Sequence, residues 1–184
     1  MKALIITWTG FQDQEVVYPY YRLREETSNA EDVVIMSDVI GRFHGIMGVN
    51  MDSHALTEEL NNSDRREFYL EQFDLLVIPG GVKALEKLRQ EKHVTSFIGE
   101  WNSRGKVIAS TCHGAQLLIS AKVVAGKKLS AYYSIEDDVN NAGATYINAP
   151  VVSDGNIVSS PHYQWMGEWM HDAIDLVKQR GNAT

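Results

Sequence analysis

Short runs of consecutive apolar residues recur along the chain and predict its strands. Four of these runs, each bounded by turn-forming residues, are Ala3–Thr7, Val33–Met36, Leu75–Ile78 and Val107–Ser110. Continuous apolar character, without polar alternation, is typical of strands that are buried on both faces of a sheet. The runs therefore predict a parallel sheet that is covered by helices.

Between these runs, apolar residues recur at helical spacing. Segments with this spacing are 16–23, 82–89, 94–101 and 117–121. Near the C-terminus one apolar stripe follows the helical period, and we expect it to face the core. Its members are Tyr163, Met166, Trp169, Met170, Ala173, Ile174 and Val177.

The alternation of strands and helices predicts an open, doubly wound α/β fold with helices on both faces of the sheet. Two segments interrupt it. Segment 41–55 has short strand-like stretches around Gly45 and Gly48, and segment 151–158 is predicted as a β-hairpin with Asp154 and Gly155 at its turn. Without a repeat or a linker, residues 1–184 are predicted to form a single domain.

Composition and charge limit the partners. With 44% hydrophobic and 22% charged residues, the chain has an ordinary globular composition. Its 17 Lys and Arg residues against 24 Asp and Glu residues give a net charge of −7, and no basic run is longer than Lys127-Lys128. We therefore expect neither nucleic acid nor a membrane surface as partner. The apolar N-terminal run is too short for a signal peptide, and a cytoplasmic location is expected.

Cys112 is the only cysteine, so its thiol is buried and inert, reactive, or linked to another molecule. The strand Val107–Ser110 runs straight into Thr111 and Cys112, and a predicted helix follows. This arrangement resembles a nucleophile elbow with cysteine in place of serine. A helix N-terminus stabilises thiolate over thiol, which favours the reactive interpretation; the alternative is a small buried hydrophobic residue.

Groups that would assist Cys112 come from neighbouring positions and from other strand ends. His113 reaches the sulfur only if the turn has an unusual backbone, because adjacent residues do not face each other on a helix. Gly80 and Gly81 follow a strand, and their N–H groups are candidates for binding an oxyanion. Glu15 is a candidate carboxylate; the alternative for it is a solvated first-turn acid that complements the helix dipole.

Five segments, taken together and in this order, resemble the DJ-1/PfpI superfamily and most closely its PfpI-type branch. They are 11–20, 79–81, 110–118, 137–144 and 151–156. The resemblance implies a flavodoxin-like sandwich, a reactive cysteine at Cys112, and a glutamate, Glu15, that hydrogen-bonds the thiol. It also implies that His113 takes part and that the N–H groups of Gly81 and His113 form the oxyanion site. No metal and no organic cofactor is expected. The resemblance also implies that the chain forms a homodimer or larger homo-oligomer.

Three departures from the family pattern affect these expectations. PfpI-type peptidases supply an acid from a neighbouring subunit where this chain has Leu85, with Glu86 one residue later. Gln12 stands where relatives often have a second acidic residue. Segment 159–165 replaces a Ser-Arg pair, so that Trp165 becomes a candidate for a pocket or a subunit contact and His162 an alternative imidazole.

The leading functional prediction is a cysteine-dependent, cofactor-free enzyme that acts on a small electrophilic substrate as a hydrolase or amidase, a hydratase or a glyoxalase-like enzyme. Cys112 would be the nucleophile and Glu15 and His113 the acid–base groups, with Gly80, Gly81, Gln12 and Trp165 toward the substrate. The alternative is a non-catalytic redox sensor or stress-protective protein that is oxidised at Cys112. Proteolysis and nucleotide binding are less favoured, because the intersubunit acid is missing and no Gly-x-Gly-x-x-Gly follows the first strand.

Overall fold

The computed structural model describes residues 1–182, with eleven strands and seven α-helices among them. The strands are β1 (Ala3–Ile6), β2 (Val33–Ser37), β3 (Gly41–His44), β4 (Asn50–Ser53), β5 (Ala55–Leu56), β6 (Leu75–Ile78), β7 (Val107–Thr111), β8 (Lys128–Leu129), β9 (Thr145–Tyr146), β10 (Val152–Asp154) and β11 (Ile157–Ser160). The helices are α1 (Asp13–Glu25), α2 (Ser63–Gln72), α3 (Val82–Leu88), α4 (Lys92–Ser103), α5 (Ala115–Ser120), α6 (Glu136–Asn141) and α7 (Met166–Gly181).

Seven strands form the central sheet in the order β10-β11-β7-β6-β1-β2-β5. Every pair is parallel except β10 with β11. From β1 the chain moves to one side, to β2, and from β6 it moves to the other side, to β7. Right-handed crossovers therefore place α1 on one face and α3 and α4 on the opposite face. The predicted fold class, a flavodoxin-like α/β fold with a mostly parallel sheet, is confirmed.

The four predicted apolar runs form β1, β2, β6 and β7, which are buried almost completely. Along α7 the predicted stripe faces the core, except at its first member. Tyr163 is 39% exposed and lies in a 3₁₀ turn before the helix, which begins only at Met166. The helical period therefore does not extend back to Tyr163, and this part of the prediction is wrong.

The two segments that interrupt the alternation are β-hairpins. Strands β10 and β11 pair antiparallel, and Gly155 at their turn has a φ of +63°. Strands β3 and β4 also pair antiparallel, and their turn contains Gly45 and Gly48. The two glycines thus lie between the strands rather than inside them.

Asp13 holds the tip of the β3–β4 hairpin against the start of α1. Its Oδ2 accepts a hydrogen bond from the N–H of Met47 and its Oδ1 one from the N–H of Val49, each at 2.7 Å. The N–H of Ile46 donates to the carbonyl of Phe11 at 2.8 Å. These contacts fix the position of Ile46, a residue that lines the cleft described below.

Several short or polar elements carry no clear signal in the sequence. Helix α2 is mostly polar, and β8 and β9, two residues each, form a separate parallel pair. No helix within residues 1–182 has the length and apolar character needed to cross a bilayer. The predicted single domain over residues 1–184 stays a prediction, and its last two residues lie outside the described part.

We expect Asp13→Ala to destabilise the protein by about 2–4 kcal/mol, because two partly buried N–H groups lose their carboxylate acceptor. The loss is measured by urea unfolding. Asp52→Ala, at an exposed position on β4 of the same hairpin, is the matched control and should leave the unfolding midpoint nearly unchanged. Equal stability of the two variants would show that Asp13 does not hold the hairpin.

Candidate active site

Three strand ends meet at one point of the sheet and bring the predicted residues together. Helix α1 follows β1, the Gly80-Gly81 turn follows β6, and Cys112 follows β7. The order in which strands are added to the sheet reverses between the parallel neighbours β1 and β6. In doubly wound folds, ligands bind in the crevice at such a point, beyond the carboxyl ends of the strands. The structure therefore places the candidate residues where this fold offers a site.

Cys112 lies on a sharp turn between β7 and α5, as the elbow prediction requires. Its φ is +55°, a left-handed conformation that is uncommon for a residue with a side chain. Residues 112–114 form a single 3₁₀ turn, and only 8% of Cys112 is exposed. The thiol is thus nearly buried at the base of the crevice.

His113 reaches the sulfur despite being adjacent in sequence. Its Nδ1 lies 3.3 Å from the Sγ of Cys112, because the positive φ of Cys112 turns the two side chains toward each other. Burial lowers the pKa of His113, so the imidazole is neutral at pH 7 and can accept a proton. Its ring packs against Tyr132 with 4.8 Å between the centroids.

Glu15 is fully buried, so the alternative of a solvated first-turn acid is wrong. Its Oε2 accepts a hydrogen bond from the N–H of Gly80 at 2.6 Å, and its carboxyl also contacts the Cys112 thiol. Burial raises the pKa of Glu15 to about 7, more than these hydrogen bonds lower it. Near neutral pH the carboxyl therefore exists in both protonation states.

The N–H groups of the turn favour the Cys112 thiolate, but burial outweighs their effect in the resting site. Burial raises the pKa of the Cys112 thiol, and the negative charge of Glu15 raises it further. Hydrogen bonds from the N–H groups of His113 and Gly81 act in the opposite direction but do not outweigh the loss of water. Both groups of the Glu15–Cys112 pair thus hold their protons more tightly than they would in water.

The two glycines after β6 are required by close contacts. A Cβ at Gly80 would lie 2.3 Å from Oε2 of Glu15 and 2.7 Å from Cβ of Cys112. Gly81 has a φ of +106°, and a Cβ there would lie 2.6 Å from the backbone nitrogen of Gln12. The N–H of Gly80 is already bound to Glu15, so Gly80 is not available as an oxyanion donor. The N–H groups of Gly81 and His113 face the sulfur.

The crevice opens into a cleft of about 500 Å³ above Cys112. Its lining is Gln12, Ile46, Gly81, Val82, Cys112, His113, Tyr132, Ser134, His162 and Tyr163. Trp165, predicted as a substrate-binding residue, is not part of this lining; Tyr163 takes that place. Four of the lining residues were not predicted from the sequence: Ile46, Val82, Ser134 and Tyr163. For Ile46 the local sequence holds no signal, because the Asp13 contacts that position it span more than 30 residues.

Leu85 and Glu86, at the position where PfpI-type peptidases have the intersubunit acid, differ in burial. Leu85 is fully buried on α3 and belongs to the core, whereas Glu86 beside it is exposed. Across residues 1–182, no group of three or more His, Cys, Asp or Glu side chains is placed to hold a metal ion.

Comparison with known proteins places the chain in a family. The model of the DJ-1/PfpI family matches residues 1–176. The chain belongs to this family. A deglycase of Pyrococcus horikoshii is 39% identical over 97% of this chain and 100% of its own length. General stress protein 18 of Bacillus subtilis is 32% identical over 82% of this chain and 81% of its own length. Among solved structures, DJ-1 of Schizosaccharomyces pombe has a TM-score of 0.83 at 19% identity, covering 100% of this chain and 96% of that one, which shows the common fold.

The raised pKa of Glu15 predicts a stability effect that depends on pH. The pKa is about 7 in the folded protein and 4.5 ordinarily, so this carboxyl favours folding most below pH 4.5 and progressively less as the pH rises to about 7. Glutamine does not ionise. Between about pH 5 and about pH 8, Glu15→Gln should therefore gain roughly 2–3 kcal/mol relative to the wild-type protein, as measured by urea unfolding.

Glu26→Gln is the control for this experiment, because Lys178 and Arg22 lower the pKa of Glu26. Glu26 is ionised in both folded and unfolded protein over the same pH range. Its variant should therefore differ from the wild-type protein by a nearly constant amount. A constant difference for Glu15→Gln as well would contradict the buried, proton-binding carboxyl.

Proposed function

We propose that this protein is a cysteine-dependent, cofactor-free enzyme that acts on small electrophilic carbonyl compounds, converting a 2-oxoaldehyde, free or as an early adduct, to a 2-hydroxy acid. The observation that carries the proposal is the buried Cys112 thiol between two groups able to move protons: Nδ1 of His113 at 3.3 Å and the carboxyl of Glu15. Membership of the DJ-1/PfpI family and relatives named deglycases support an enzyme at this coarser level.

In the first step the sulfur attacks the aldehyde carbon. Nδ1 of His113 accepts the thiol proton while the C–S bond forms, and the carbonyl π electrons move to the oxygen. The N–H groups of Gly81 and His113 would stabilise this oxyanion. The loss of one such donor raises the activation barrier by about 3 kcal/mol. Because the proton leaves as the sulfur attacks, no thiolate has to be formed beforehand. Burial and the negative charge of Glu15 disfavour such a thiolate.

In the second step Glu15 moves a proton between the two carbons of the bound substrate. Its carboxylate removes the proton from the carbon attached to sulfur and returns it to the neighbouring carbon. The proton held by His113 goes to the oxygen of that neighbouring carbon, which gives a thioester of the 2-hydroxy acid. Water then cleaves the thioester and restores the thiol. The aldehyde carbon is oxidised and the neighbouring carbonyl carbon reduced, one water is consumed, and no external oxidant is needed. A pKa of about 7 suits Glu15 to both removing and returning this proton.

Redox sensing at Cys112 is the second candidate, and one observation favours it. The Glu15 carboxyl and the N–H groups around the sulfur could bind the oxygens of an oxidised cysteine. The raised pKa of the thiol opposes it, since the thiolate is the form that oxidises readily. The relationship to a general stress protein is compatible with either role.

We also propose that the chain forms a homodimer or larger homo-oligomer through the tip of the β3–β4 hairpin. Ile46, Met47 and Val49 are 48%, 76% and 42% exposed there, and Val82, 51% exposed, adds to the apolar surface at the cleft. A contiguous exposed apolar patch is typical of an interaction surface. Light scattering should give at least twice the monomer mass for the wild-type protein, and a lower mass for Met47→Asp.

The proposed reaction predicts the effect of removing either group next to the substrate. With methylglyoxal, Cys112→Ser should lose turnover to lactate at least about 1,000-fold and His113→Ala about 100-fold, because nucleophile and base are removed in turn. Ser120→Ala, on α5 but bound to Arg89 rather than to the site, is the control. Retention of full turnover in Cys112→Ser would exclude covalent catalysis at this residue.

Mass spectrometry separates catalysis from redox sensing. If Cys112 acts as a nucleophile toward carbon, we expect it to remain reduced in mild peroxide at about neutral pH under conditions where iodoacetamide labels it. Rapid, stoichiometric conversion to the sulfinate would favour the sensor instead.

A further inference from the structure

Four rings contact one another along one side of the cleft, and we call them the aromatic wall: Tyr132, His162 and Tyr163, which line the cleft, and Tyr133, which packs on Tyr132. From this wall we propose that the substrate carries an uncharged, flat group, aromatic or conjugated, next to the carbon that Cys112 attacks. The inference rests on the proposed function, since it names the substrate class of the same site.

The rings of the aromatic wall contact one another in sequence, starting from His113. The Tyr132 ring lies 4.8 Å from the ring of His113 and 6.1 Å from that of His162, to which it is inclined by only 27°. Tyr133 lies 4.3 Å from Tyr132, and Tyr163 lies 3.8 Å from His162. The surface of the wall therefore begins beside the group that contacts the nucleophilic sulfur.

Packing within the wall keeps the rings in place before a ligand arrives. The hydroxyl of Tyr132 donates to that of Tyr133 at 2.9 Å. The ring nitrogen Nδ1 of His162 accepts from the N–H of Gln164. A flat ligand group would meet a preformed surface, and stacking on such rings contributes more than the burial of its area alone.

The lining of the cleft holds no charged side chain, and the carboxyl of Glu15 lies beneath it, fully buried beside Cys112. Among the lining residues that the structure describes, none is Lys, Arg, Asp or Glu. Burial lowers the pKa of both His113 and His162, so both imidazoles are neutral at pH 7. A carboxylate or an ammonium group entering the cleft would lose water without gaining a counter-ion, which is costly.

The remaining lining agrees with this selection. Ile46 and Val82 contribute apolar surface, and the amide of Gln12 and the hydroxyl of Ser134 are uncharged hydrogen-bonding groups. A volume of about 500 Å³ accommodates a phenyl-sized substituent together with the reacting carbonyl. A flat, uncharged substituent therefore matches both the shape and the charge of the site.

The test measures how fast Cys112 is alkylated, which does not require turnover. Three reagents share one reacting group: iodoacetamide, N-benzyl-2-iodoacetamide and iodoacetate. Each rate constant is divided by that of the same reagent with glutathione. We expect the benzyl reagent to react about 3- to 10-fold faster than iodoacetamide on this scale, and iodoacetate about 10-fold more slowly.

Two substitutions connect any preference to the aromatic wall. Tyr132→Leu and Tyr163→Leu should each reduce the benzyl preference at least about twofold, because each removes a ring. Tyr21→Leu, which removes an exposed ring on α1, should keep the wild-type preference. Far-UV circular dichroism establishes that each variant is folded, and Tyr163, which lies outside the core, gives a usable result if Tyr132→Leu does not fold.

Equal normalised rates for the benzyl reagent and iodoacetamide would overturn the inference, as would an unchanged preference in a folded Tyr163→Leu variant. An iodoacetate rate equal to that of iodoacetamide would overturn the part that concerns charge. Methylglyoxal turnover is measured separately: its absence, together with a clear benzyl preference, would contradict the proposed reaction but leave the binding preference established.

Discussion

The burial of one carboxyl group is the constraint on which the site depends. Glu15 projects from the first turn of α1 into a position without access to water, and its Oε2 is satisfied by the N–H of Gly80. That hydrogen bond is possible only because residue 80 lacks a side chain, since a Cβ would lie within 2.3 Å of the same oxygen. The position of α1, the turn after β6 and the cysteine elbow after β7 are thus mutually dependent.

The same burial determines how protons are distributed. In water a carboxyl and a thiol differ widely in acidity, but here desolvation raises the pKa of both, and the negative charge of Glu15 raises the pKa of the thiol further. The neutral imidazole of His113 is the neighbouring group that can take the thiol proton. If the site acts as proposed, it therefore generates its nucleophile during attack rather than storing a thiolate.

The fold was predictable where the signal is local and strong. Continuous apolar runs identified β1, β2, β6 and β7, and the transition from strand to helix at Cys112 identified the elbow, because burial on both faces and a tight turn each leave a direct trace in sequence. The thiol pKa was not predictable, because the helix dipole can be inferred from sequence whereas the extent of desolvation cannot. Trp165 was predicted for the cleft in place of Tyr163, because side-chain direction in the 3₁₀ turn before α7 does not follow the helical period.

The first turn of α1 combines two tasks in neighbouring residues. Glu15 points inward to Gly80 and Cys112. Asp13, two residues earlier, accepts hydrogen bonds from the backbone of the β3–β4 hairpin, whose Ile46 lines the cleft. Because Asp13 binds backbone N–H groups, the side chains at the hairpin tip are free to change without loss of this anchor. The shape of one border of the cleft can thus diverge between relatives while the chemistry beneath it stays the same, so a common mechanism is compatible with different substrates.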